Sequence, residues 1–181
     1  MKKIVFGGIV GAVVLFIWTM ASWAVLPWHT HAYKEFKNPE AVARIVDQNA
    51  SEDGVYLFPF SSSDTEEARE NLAKGPIIYA QVQKGGMDPF SPILYIVTFV
   101  NGFIGSLFLA YLLRKKGHPG YFQRVFFGAI FGLTVGILAA VPNWNWMGAS
   151  GAFTLIVIAD YLIAYLLVGI TIAGFVKPRD F

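Results

Sequence analysis

The chain has 181 residues, of which 55% are hydrophobic and only 14% are charged. Soluble domains carry about 25% charged residues, so this composition excludes an ordinary soluble domain. The formal net charge of +2 argues against a nucleic-acid partner, and the absence of cysteine excludes disulfides, zinc–thiolate sites and thiol catalysis.

Four apolar runs in the chain are long enough to cross a membrane, because about 20 helical residues span roughly 30 Å of hydrocarbon. They predict a mainly α membrane protein, a four-transmembrane-helix bundle with a small extracytoplasmic α/β domain between helices 1 and 2. The expected spans are residues 1–26, 93–113, 125–141 and 152–176, and the connecting segments are 27–92, 114–124, 142–151 and the tail 177–181.

The first apolar run begins after Lys2 and Lys3 and ends near Ser22-Trp23-Ala24, as a secretory signal peptide does. Its apolar stretch is longer than the usual 7 to 15 residues of a signal peptide. We therefore interpret this run as a retained membrane anchor.

The distribution of basic residues predicts the orientation, because cytoplasmic loops are enriched in Lys and Arg. Segment 27–92 has six basic and ten acidic residues, and segment 142–151 has no basic residue. We expect a multi-pass protein of the bacterial cytoplasmic (inner) membrane, with both termini cytoplasmic and residues 27–92 periplasmic. The basic residues at the cytoplasmic side are Lys2, Lys3, Arg114, Lys115, Lys116, Arg124, Lys177 and Arg179. The expected interfacial anchors are Trp23, Trp28, Trp144 and Trp146.

The periplasmic segment predicts a helix–strand–helix–strand unit. Asn38 followed by Pro39 indicates a helix start, and the apolar face continues to Asn49. A strand is expected at 55–60, a helix capped by Ser63 or Asp64, and a second strand at 77–83. The two strands are expected to pair in parallel, or to lie at the edge of a sheet that another chain completes. A unit this small is marginal alone, so we expect it to contact the membrane, the 142–150 loop or another subunit.

Asp160 is the only ionisable residue inside the four runs. A carboxylate within a membrane costs several kcal/mol and is a functional hypothesis by default. Asn101 lies at a similar depth in the second span, with Thr98 on its face, so we expect an intramembrane polar site in which Asp160 contacts the Asn101 amide. This site is either interhelical glue or a proton or cation site, and the absence of a second buried acid or base favours glue.

His29 and His31 follow the first span, and Glu35 lies nearby. In an extended segment the two imidazoles share a face, and together with a carboxylate they would suit zinc or copper. A metal site there needs a further ligand and is the weaker interpretation. No histidine lies within a span, so ligation of haem or chlorophyll is not expected, and no other cofactor is predicted.

Small residues form two close-packing faces. Gly128, Gly132 and Gly136 recur at four-residue spacing in the third span, as in a glycine zipper, and Gly7 and Gly11 do so in the first. Such faces let helices approach closely. They serve either packing within this chain or an interface with another subunit.

No catalytic motif is present in the sequence. We therefore expect a non-catalytic accessory or scaffold subunit of a larger bacterial inner-membrane complex. Its partners would be the lipid bilayer and other membrane-protein subunits, or a second copy of the chain. One alternative is an oligomeric transporter or channel that uses Asp160 and Asn101, and another is a metal-binding membrane protein that uses His29 and His31.

Overall fold

A computed structural model describes residues 1–115 and 120–177. The described residues form seven helices and two strands. Parts of the predicted loop 114–124 and of the tail 177–181, including Lys116 and Arg179, lie outside the described residues. In chain order the elements are α1 (Lys2–Ala24), α2 (Trp28–Ala32), α3 (Pro39–Asn49), β1 (Gly54–Phe58), α4 (Glu66–Lys74), β2 (Ile78–Val82), α5 (Pro92–Lys115), α6 (Tyr121–Met147) and α7 (Gly151–Ile172).

Four helices, α1, α5, α6 and α7, are long and apolar enough to cross a membrane. They contain 22 to 27 residues each, which corresponds to about 33–40 Å at 1.5 Å per residue. The prediction of four spanning helices is confirmed by length and composition.

Helix α6 is longer than the predicted span 125–141 and includes most of the predicted loop 142–151. Pro142, the first residue of the predicted loop, lies inside α6 although proline lacks the N–H donor of a regular helical residue. The helix continues for one and a half turns beyond it, and Asn143 Nδ2 donates to the Ala139 carbonyl at 2.9 Å. The helix ends at Gly148, whose φ of 74° suits glycine. Trp144 and Trp146 are therefore exposed residues of the last helical turns.

The long helices contact one another in the order α5, α1, α7, α6. Helix α1 packs against α5 and α7, α7 packs against α6, and α5 hardly touches α6. The main apolar core lies in the half of the helices nearer the chain termini. It includes Leu109, Leu113, Val168, Ile172 and Val176.

Glycines occupy the tightest helix contacts. A Cβ atom on Gly132 would lie 2.4 Å from the Tyr161 carbonyl oxygen, and one on Gly128 would lie 2.9 Å from that of Tyr165. Gly136 faces the backbone of α7 in the same way, while Gly7 and Gly11 face side chains of α5 and of the chain at and beyond α7. Both glycine faces therefore pack against other parts of this chain. Of the two interpretations of these faces, packing within the chain and an interface with another subunit, the contacts correspond to the first.

We expect the substitution Gly132→Ala to destabilise the α6–α7 contact by about 1–3 kcal/mol, because the added methyl group meets backbone that cannot yield cheaply. Thermal unfolding of the full chain in detergent, followed by tryptophan fluorescence, measures the change. Gly151→Ala is the matched control, since no atom lies within 4 Å of a Cβ at that helical position. Equal melting temperatures of Gly132→Ala and Gly151→Ala would contradict this packing.

The start of α6 is tied to the end of α7. Arg124 is buried, and its Nε donates to the Ala173 carbonyl at 3.0 Å. The Tyr121 hydroxyl donates to the Ile170 carbonyl at 2.9 Å. A cation at a helix C-terminus is favourable because the last carbonyls carry partial negative charge. Arg124 therefore stabilises the closing turn of α7.

The segment between α1 and α5 begins with the short helix α2, which was not predicted, and then has the predicted order helix, strand, helix, strand. Asn38 caps α3, because its Oδ1 accepts from the Ala41 N–H at 3.0 Å. Helix α4 is capped by Thr65 rather than by Ser63 or Asp64. Asp64 pairs with Arg69 instead, at 2.7 Å, and this hydrogen bond holds the pKa of the Asp64 carboxyl below its usual value.

The two strands pair antiparallel, so the predicted parallel pairing is wrong. Gly54 lies opposite Val82, and Phe58 lies opposite Ile78. The segment through α4 connects the end of β1 to the start of β2 at the same end of the sheet, as in an antiparallel pair. A parallel pair would need a connection that returns along the length of the strands.

This α/β unit has almost no core of its own. Between residues 33 and 91, Ala50 is the one buried residue. Polar contacts hold the unit together: Lys84 Nζ donates to the carbonyls of Asp47 and Ala50 at the end of α3, at 2.9 and 2.8 Å. Its exposed apolar side chains include Phe36, Phe58, Phe60, Ile77 and Phe90.

Candidate functional site

Asp160 lies in α7, nine residues after its start, which corresponds to about 14 Å along the helix. Its Oδ1 accepts a hydrogen bond from Trp18 Nε1 of α1 at 2.5 Å. Among the described residues the carboxylate does not bond to Asn101, so the predicted Asp160–Asn101 contact is not formed. The Thr98 hydroxyl donates to the Leu94 carbonyl of its own helix.

His29 provides the second titratable group beside Asp160. Its Nε2 lies 3.4 Å from Asp160 Oδ2 and 3.1 Å from the Ser22 hydroxyl. The residue is 1% exposed, and its ring stacks on Trp23 with the centroids 3.8 Å apart. An imidazole and a carboxylate therefore lie side by side within the helical part of the protein.

The turn after α1 positions this histidine. Helix α1 ends at Ala24, and Pro27 begins the short helix α2, which packs against α7. The Trp28 indole N–H donates to the Ser22 carbonyl and hydroxyl, both at 3.1 Å. These bonds fold α2 back onto the end of α1, and His29 is thereby buried between α1 and α7.

The pair of Asp160 and His29 was not predicted, because partners of Asp160 were expected only within the spans. His29 lies outside the apolar runs and reaches Asp160 through a reversal of the chain. A signal was present in the sequence: a proline directly after the span, followed by Trp28 and His29, is a turn with an aromatic side chain that can face back toward the membrane.

The predicted metal ligands are not brought together. His29 is buried, whereas His31 and Glu35 are exposed. The segment was expected to be extended, but it is helical, and residues two apart on a helix point to different sides. Among the described residues, no three His, Cys, Asp or Glu side chains are grouped so that they could hold a metal ion.

A cleft of about 530 Å³ lies beside the pair. Its polar lining includes Asp160, His29, Asn101, Thr98 and Thr19, so the predicted polar residues share one cleft although Asp160 and Asn101 do not bond. The rest of the lining is mostly apolar or aromatic and comes from all four long helices. It includes Leu15, Trp18, Trp23, Val97, Ile104, Val135, Val157, Tyr161 and Tyr165.

The Asp160 carboxylate can take a further partner from the cleft. Its side chain is 17% exposed, so one side of the carboxylate faces open space. His29 Nδ1, by contrast, is buried and has no hydrogen-bond partner among the described residues. Buried polar atoms are nearly always paired, so this nitrogen is an exception.

Chemically, the arrangement places a carboxylate and an imidazole 3.4 Å apart and can bind a polar group from the cleft. Large, mostly apolar clefts with a few convergent polar groups are the usual form of small-molecule sites. Comparisons with family models, with curated proteins and with solved structures found no match, so the function is argued from this geometry.

Proposed function

We propose that this protein is a proton-linked transport protein in which Asp160 and His29 form the proton-binding site. The observation that carries the proposal is the distance of 3.4 Å between His29 Nε2 and Asp160 Oδ2 at the wall of a cleft. A carboxylate at this depth is costly for folding. Retaining it next to a titratable imidazole favours proton exchange over simple helix–helix glue.

The cleft supports transport of a small solute rather than binding of a lone proton. Its volume of about 530 Å³ falls within the range of small-molecule sites, about 300–1,000 Å³. Asn101 and Thr98 add hydrogen-bonding groups across from Asp160. A solute in the cleft would therefore contact the same carboxylate that binds the proton. When solute and proton use one binding site, the movement of the solute is coupled to the movement of the proton.

In this proposal the protein acts as an oligomer in a bacterial inner membrane, with residues 27–92 periplasmic. The cleft lies in the half of the helices nearer that segment, and the other half is filled by the core around Leu109, Leu113 and Ile172. One chain therefore offers a pathway through half of the membrane. A second copy of the chain would supply the rest of the pathway.

The proposal is tested with the full chain reconstituted into liposomes on a solid-supported membrane. Panels of cationic, neutral and anionic solutes are added under a proton gradient, and charge displacement is recorded. We expect a solute-dependent signal that falls at least about tenfold in Asp160→Asn, which keeps the size of the side chain but removes its exchangeable proton. Unchanged signals in an Asp160→Asn protein that elutes as the wild type does would contradict the proposal.

A second candidate is the accessory or scaffold subunit expected from the sequence. It is favoured by the α/β unit, in which large apolar side chains such as Phe60 and Phe90 are 74% and 80% exposed. Exposed apolar surface of this kind is characteristic of protein partners. Purification from the native membrane in mild detergent tests this candidate: larger subunits in fixed ratio would establish it, and a lone homo-oligomer would eliminate it.

A further inference from the structure

The formal charges around the cleft favour a cationic ligand. Among the described residues that line it, Asp160 carries a negative charge, His29 is neutral or positive, and none is a lysine or arginine. With His29 neutral, the cleft has one uncompensated carboxylate in a low-dielectric setting. Such a charge attracts a cation more strongly than it would in water.

Aromatic rings line the same cleft as this carboxylate. They belong to Trp18, Trp23, Tyr161 and Tyr165, and the faces of such rings attract cations. Apart from His29, Thr19, Thr98 and Asn101, the remaining lining residues are apolar or glycine, and they favour an apolar body. The lining therefore matches a molecule with a positive head and an apolar remainder.

The gap between α5 and α6 is the side from which we expect a molecule in the bilayer to reach the cleft. These two helices hardly touch, and each contributes lining residues there, Ile104 from α5 and Val135 from α6. Ile104 is 48% exposed, as expected for a residue at an open side. A lipophilic ligand can therefore enter from the hydrocarbon without crossing the polar α/β unit.

The open side of the Asp160 carboxylate narrows the class of ligand further. The side chain is 17% exposed, and its Oδ1 already accepts from Trp18. Because a carboxylate only accepts hydrogen bonds, an ammonium group with N–H bonds matches it both in charge and as a donor. A quaternary ammonium has no N–H donor, and an alcohol has no charge.

We propose that the cleft binds a lipophilic ammonium ion, a protonated amine with an apolar body, which enters from the bilayer between α5 and α6 and donates N–H hydrogen bonds to Asp160. This inference deepens the proposed function and rests on it for the view that the ligand is transported.

The test uses four probes that share one apolar body and differ in the head group: 1-adamantylamine, trimethyl(1-adamantyl)ammonium, 1-adamantanol and 1-adamantanecarboxylate. Each is titrated calorimetrically into the full-length protein in lipid nanodiscs, with empty nanodiscs subtracted. We expect the amine to bind saturably and at least about tenfold more tightly than the other three, because charge-assisted hydrogen bonds to a buried carboxylate are strong. Equal binding of the amine and the alcohol, or of the amine and the quaternary ion, would overturn the proposal.

Two variants locate the binding site. Asp160→Asn is expected to weaken amine binding at least about tenfold. If that variant does not fold, Val135→Phe serves instead, because it adds bulk to the α6 side of the cleft, whereas the polar pair belongs to α2 and α7. Its matched control is Leu138→Phe, at a position of the same helix that is 70% exposed and does not line the cleft. Amine binding that survives Val135→Phe unchanged would contradict the location.

Different results contradict the ammonium ligand and the proposed transport function. If none of the four probes binds while solute-linked proton movement still depends on Asp160, the ammonium class is wrong and proton-linked transport stands. If the amine binds saturably and no solute moves protons, transport is wrong and the cleft is a binding site alone.

Discussion

The substitution Asp160→Ala is expected to lower the free energy of unfolding by about 2–4 kcal/mol, because it removes the acceptor of a buried indole N–H and the neighbour of a buried imidazole. Trp18 Nε1 and His29 Nε2 both face this carboxylate. Unfolding of the full chain by a denaturing detergent, monitored by tryptophan fluorescence, measures the loss.

Asp160→Asn is the matched comparison. Its side-chain carbonyl can still accept from Trp18, so we expect it to retain more than half of the stability that Asp160→Ala loses. The two substitutions therefore separate the structural role of the acceptor from the proton-binding role of the acid. Equal losses in both variants, or no loss in either, would show that the Trp18–Asp160 contact does not stabilise the helices.

The substitution His29→Phe is expected to abolish solute-linked charge movement, with at least about a tenfold loss. Phenylalanine keeps a planar ring that can stack on Trp23, which lies 3.8 Å from the imidazole. It removes both nitrogens, and with them the proton partner of Asp160. The melting temperature is therefore expected to change less than the transport signal does.

His31→Phe is the control for this result. His31 lies two residues away in the same short helix and is exposed, so the exchange removes an imidazole without touching the pair. We expect wild-type charge movement in His31→Phe. Equal losses in the two variants would mean that α2 matters for folding or assembly, and not because its buried histidine binds a proton.

The parts of the fold set by local composition were predictable from the sequence. Apolar runs of sufficient length gave four long helices, and the Asn38-Pro39 pair gave the start of α3. The end of the third span was predicted wrongly, because a proline can lie either at the end of a helix or inside one. A proline usually ends or kinks a helix, but α6 continues through Pro142 to Met147.

The candidate site was predictable only in part, because it depends on chain reversals. Asp160 was identified from its cost in an apolar span. The residues that contact it, Trp18 and His29, are 142 and 131 positions away in sequence, and no periodicity links such distances. The prediction of parallel strands failed for the same reason. The direction of strand pairing depends on the path of the segment through α4, and local propensity does not determine that path.

The most direct test of the central claim is infrared difference spectroscopy of the full chain in lipid, recorded as the pH is changed over the range in which the protein stays folded. We predict a protonated-carboxyl band that appears and disappears reversibly with pH, is absent in Asp160→Asn, and shifts in His29→Phe because the imidazole is the neighbour of the acid. A spectrum without any pH-dependent carboxyl band that Asp160→Asn removes would contradict proton exchange at Asp160, and with it the proposed function.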